Sequence, residues 1–86
     1  MTFEGALIED QGVQFGVVSV KQHVVNNRTE AQRVIRAFGP VFPGVPVVLV
    51  SVDSRGSSQW IGRQDIVNYM ANVPLAAIPW AKYTVS

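Results

Sequence analysis

Apolar positions along this chain follow two rhythms, a period of two and a period near 3.6, and the switches between them mark out its elements. In the opening segment, residues 2–8, Phe3 and Leu7 share one face; Glu9-Asp10-Gln11-Gly12 then supplies turn chemistry, and a β-type composition resumes over residues 13–25. This predicts a hairpin. In the middle of its second strand Val17, Val18 and Val20 load both faces, the pattern of a strand covered on two sides, while Lys21-Gln22-His23 reads as its exposed end. Asn26-Asn27-Arg28 breaks that strand. Thr29 followed by Gln32 fits a capping box, so a helix is expected from there, with Ala31, Val34, Ile35 and Phe38 as its apolar stripe and Gly39-Pro40 as its stop.

Residues 47–52 are short, β-branched and almost wholly apolar, as in a strand buried on both faces. They are the expected sheet centre, reached from the second strand by a right-handed parallel crossover. Asp53-Ser54-Arg55-Gly56 suits a type I turn, after which residues 58–61 return antiparallel. Gly62 is the expected N-cap of a second helix, with Asp65 as a first-turn anion and Ile66, Val67, Met70 and Ala71 as its stripe, ended by Asn72 and Pro74. Residues 78–85 read as a last strand with Trp80 and Tyr83 on opposite faces. The predicted order is ββαββαβ, an α+β domain with a mixed sheet and two helices. The chain's 86 residues are expected to form one domain, because half of them could not bury a core.

The stretch 15–73, with its strand, helix, Val45-Pro46 opening a strand, hairpin, Gly62 and helix, resembles the carboxyl-terminal half of a thioredoxin-like fold. The resemblance implies a truncated thioredoxin-like arrangement as the alternative fold, with Pro46 in the cis form. It lacks the redox motif, since the chain has no cysteine.

Composition narrows the function classes. Charged residues make up 15% of the chain against about 25% in an average soluble domain, while 48% is apolar, so some apolar surface is expected to be covered by a second copy. A net charge of +1 is too small for a protein whose task is gripping a phosphate backbone, and general nucleic-acid binding is not expected. Absence of cysteine removes disulfides, thiol nucleophiles and Cys-ligated zinc. The first residues have neither a basic nor an apolar leader region and no stretch reaches membrane-spanning length, so a cytoplasmic protein without membrane contact is expected.

Candidate chemistry gathers around one connection. Arg55, Gly62 and Arg63 could hold an anion or a phosphate-containing ligand at the opening of the second helix, although Asp65 would repel it unless turned away. Asp53 and Asp65 invite a paired-carboxylate reading, but a turn and a first helical turn each explain an aspartate fully. His23, beside Lys21 on one strand face, is the only side chain with an ordinary pKa near neutrality, and no metal site or cofactor is expected around it. Trp60 and Trp80 carry more apolar area than a small core readily covers, and at least one is expected to line a pocket or interface. These features predict a non-enzymatic binding or assembly module, a homodimer that recognises its partner through Asp53, Arg55, Trp60, Gly62, Arg63, Asp65 and Trp80. The two rival readings are a small-anion-binding protein and a small enzyme or enzyme subunit using His23 or the two aspartates.

Overall fold

Strand alternation sends Val48 and Val50 to one face of a sheet and Val47, Leu49 and Ser51 to the other, and a separate helical layer closes each face. The structure is a computed structural model that describes residues 2–10 and 12–84. Strands β1 (Thr2–Asp10), β2 (Val13–Ser19), β3 (Val47–Val52), β4 (Ser58–Ile61) and β5 (Ala81–Thr84) form one five-stranded sheet in the order β4-β3-β2-β1-β5. Only β2 and β3 run parallel; the other neighbours are antiparallel. The molecule is therefore a small α+β domain with a mixed sheet whose strands fall in the sequence its patterning predicts, but with three helices where two are expected, because two helices stand between β2 and β3. The sheet centre differs from expectation: β2 occupies it, because both β1 and β5 add beyond β2, and β3 lies one place off centre.

Helices α1 (Gln22–Val25) and α2 (Arg28–Phe38) cover one face, where Val18, Val24, Ala31, Phe38, Phe42, Val47 and Leu49 form a buried cluster. Helix α3 (Gln64–Met70) and a 3-10 turn, Leu75–Ala77, cover the other, over Ala6, Phe15, Val17, Val48, Val50, Ile66, Met70 and Ile78. Phe3 stacks on its cross-strand partner Tyr83 at a centroid distance of 5.2 Å, which fastens β5 to the sheet.

Several local expectations are corrected. The second strand ends at Ser19 instead of running to residue 25, and α1 takes its place. In a strand Gln22 and Val24 would share a face, whereas one helical turn buries Val24 and leaves Lys21, Gln22 and His23 exposed. Lys21 and His23 thus share no strand face. Asn27, not Thr29, caps α2: its backbone is extended and its Oδ1 accepts the Glu30 N–H at 3.0 Å, which leaves Thr29 inside the first turn. The N-cap position of α3 belongs to Arg63, not Gly62. Ile35 packs only partly buried beside Val34, while Ala31 and Phe38 take the interior of the α2 stripe. There is no cis peptide bond among the described residues, so the bond before Pro46 is trans. No helix among those residues is long and apolar enough to cross a membrane.

Candidate functional site

The hydrogen-bond ladder decides which strand edges are open. Gly16 N–H donates to Pro46 O and Val20 N–H to Val50 O, so alternate residues of β3, including Val48 and Val50, turn their backbone groups to β2. Leu49 and Ser51 turn theirs to β4, where they oppose Ile61 and Gln59, and the Asp53 N–H continues the series by donating to Ser57 O. Ser58 and Trp60 must then aim their N–H and C=O groups away from the sheet, where no protein partner meets them among the described residues. The other edge strand, β5, directs Lys82 and Thr84 outward, and a lysine there discourages pairing with another chain. Strand β4 carries no charge and no proline.

Trp60 is half-buried against the cluster beneath α3, and its Nε1 donates to Ser58 Oγ at 3.2 Å. With Ile61 and Gly62 it floors a groove of about 260 Å³, walled by Arg28 and Gln32 of α2 and by Gln64 and Val67 of α3. This groove runs beside the open edge.

Each end of β4 holds a self-contained polar cluster. At the start of the hairpin Asp53 Oδ1 accepts the N–H groups of Arg55 and Ser57, both at 2.9 Å; Gly56 closes the turn at φ 83° and donates to Asp53 O. The Asp53 carboxylate is thereby engaged in shaping the turn. At the far end Arg63 donates through Nε and Nη2 to the two carboxylate oxygens of Asp65, both at 2.7 Å. These hydrogen bonds hold the Asp65 carboxyl at about 2, below its ordinary value, although both side chains are open to solvent.

Four residues of β4 separate the clusters, roughly 13 Å at the usual strand rise. Arg55 therefore does not stand beside Arg63, nor Asp53 beside Asp65, and an anion at Gly62 would meet the Asp65 carboxylate that already occupies Arg63. His23 lies exposed on α1. Trp80 packs partly buried on the cluster beneath α3 and donates Nε1 to Leu75 O at 3.1 Å, pinning the 3-10 turn rather than joining β4. Of the residues singled out in the sequence, Trp60 and Gly62 meet in one groove. Arg28 and Gln32 of that groove mark only the opening of α2 in the sequence, because they come some thirty positions before β4 and only the fold brings them to it. The uncharged composition of residues 58–61, by contrast, is readable in the sequence, although their place at an edge follows only from the strand order. Comparison with protein-family models, with curated proteins and with solved structures finds no significant match.

Proposed function

We propose that this protein is a non-enzymatic assembly module that works as a homodimer, joined by antiparallel pairing of β4 with β4 of a second copy across a two-fold axis. The observation that carries this reading is the row of outward N–H and C=O groups on Ser58 and Trp60, in a strand with no charge to oppose its own copy. Self-pairing satisfies those groups without setting like charges opposite one another, and it extends both sheets into one. Two further features support it. The chain has a low share of charged residues for its apolar content. Trp60 also presents a large amphipathic ring beside the edge, and tryptophan is a residue type on which interfaces concentrate their energy.

Sedimentation over the micromolar range tests the reading. A concentration-dependent dimer is expected, and Ser58→Pro should abolish it. Proline removes the outward N–H of residue 58 but no bond to β3, so the fold survives while the edge is blocked. A monomer at every concentration, or a dimer that the proline leaves intact, contradicts the proposal.

A further inference from the structure

A second open edge lies on the opposite side of the sheet. Alternate residues of β2, among them Gly16 and Val18, bond to β3, so Phe15 and Val17 turn to β1 and pair with Ile8 and Ala6. Phe3 and Gly5, and beyond them Leu7 and Glu9, must face outward. Strand β5 meets only the upper half, pairing Tyr83 with Phe3 and Ala81 with Gly5. Below Ala81 the chain leaves the sheet through Pro79 and the 3-10 turn. The N–H and C=O groups of Leu7 and Glu9 are therefore left without a protein partner among the described residues.

Beside this half-edge lies the largest of the grooves described in this structure, about 400 Å³. Its wall is apolar: Tyr69, Met70, Val73, Ile78 and Pro79 face the backbone of residues 7–9. Leu7 and Tyr69 are 50% and 43% exposed, and Val13, in the hollow on the other side of Tyr69, is 41% exposed. Tyr69 and Val13 stand on the face of the groove and Leu7 on the opposite face of the same half-edge, so exposed apolar side chains flank it on both sides. Its charge has one sign. Glu9 lines the groove and Asp10 the neighbouring hollow, and neither carboxylate has an ion-pair partner among the described residues.

We propose that this half-edge is a docking site for an extended peptide segment of alternating apolar and basic residues, which adds as a short strand beside Leu7–Glu9, in line with β5. Main-chain bonds to Leu7 and Glu9 supply affinity, and alternation of the incoming side chains supplies specificity. One set enters the groove against Tyr69, Met70 and Ile78. The other set lies on the face that carries Leu7 and Glu9, where a lysine or arginine covers Leu7 with its methylenes and places its charge at Glu9. A second copy does not suit this surface, because a two-fold contact would gather two Glu9 and two Asp10 carboxylates around one axis, with no basic residue lining the groove or the hollow to offset them. The site is separate from β4 and does not depend on pairing there.

The test is a titration of the isotope-labelled protein with an acetylated, amidated hexapeptide alternating valine and lysine. Amide shifts should concentrate at Leu7 and Glu9 and between Tyr69 and Pro79, and the exchange of the Leu7 and Glu9 amides with solvent should slow. Replacing the lysines by glutamate should weaken binding about tenfold or more, and added salt should weaken the lysine peptide. Methylating the peptide's backbone nitrogens should abolish binding. Exposed Glu9 can be changed without loss of fold, and Glu9→Lys should reverse the preference between the two peptides. Shifts confined to Ser58–Ile61 or scattered over the surface overturn the proposal. So do equal binding of the two peptides, indifference to methylation, or dimerisation through Leu7 and Tyr69.

Discussion

Gly62 and Val48 stand closer than any side chain at position 62 permits: a Cβ built there lies 2.6 Å from Val48 Cγ1. The φ of Gly62, 150°, is one that L residues rarely adopt. Close approach and dihedral together let the chain leave the end of β4 and cross directly into α3 over Val48. The glycine is thus explained by packing and needs no ligand. Gly62→Ala should cost about 1 to 3 kcal/mol, from overpacking and backbone strain combined. Chemical denaturation measures it; a midpoint equal to the parent's contradicts the assignment.

Ser51 sits on β3 with its hydroxyl fully buried and without a hydrogen-bond partner among the described residues. An unmet buried hydroxyl costs roughly 1 to 3 kcal/mol of desolvation, so Ser51→Ala should raise stability, by about 1 kcal/mol once the small loss of packing is counted. A clear fall in melting temperature would instead show that the hydroxyl is bonded.

Leu49 and Ile35 have the same number of carbons but differ in burial: Leu49 is wholly enclosed, whereas Ile35 keeps part of its surface in solvent. Leu49→Ala should cost about 2 to 5 kcal/mol, a large fraction of the stability of so small a domain, and Ile35→Ala distinctly less. Equal losses would mean that α2 packs more deeply than described.

Asp65 titrates at about 2 against an ordinary 3.8, because Arg63 bonds the ionised form. A lowered carboxyl value stabilises the folded state above the unfolded value and loses that contribution as pH falls through the folded one, here between roughly pH 4 and pH 2. Full exposure keeps the effect small. A carboxyl titration followed by resonance spectroscopy should place Asp65 near 2 in the parent and near its ordinary value in Arg63→Ala. An unchanged low value in the variant would exclude the pair as its cause.

The strands were readable where burial imposed a pattern. Val47 to Val50 are apolar without alternation because both faces of β3 are covered, and Asp53 to Gly56 announce their turn through an aspartate that bonds its own backbone. Less legible were places where neighbouring residues compete for one role. Asn27 and Thr29 are both competent caps, and the choice between them depends on how α1 positions the chain. Residues 20–25 suit a strand by composition, yet only the tertiary demand to bury Val24 and expose Gln22 selects a helical turn. The candidate site divides in the same way. The aromatic and uncharged character of residues 58–61 is local, but their position at an edge follows from strand order. The open lower half of β1 follows from the shortness of β5 and the departure of the chain at Pro79. No local pattern encodes either.

Hydrogen exchange at the amides of β4, followed as protein concentration rises, tests the central claim most directly. Gln59 and Ile61 donate to β3 and should exchange slowly at every concentration, whereas Ser58 and Trp60 face outward and should exchange quickly in dilute solution. Pairing of β4 with its copy predicts that Ser58 and Trp60 become protected as the dimer fills, by about tenfold or more when most chains are paired. Fast exchange at Ser58 and Trp60 in the most concentrated sample, unchanged from the most dilute, would contradict assembly through this edge.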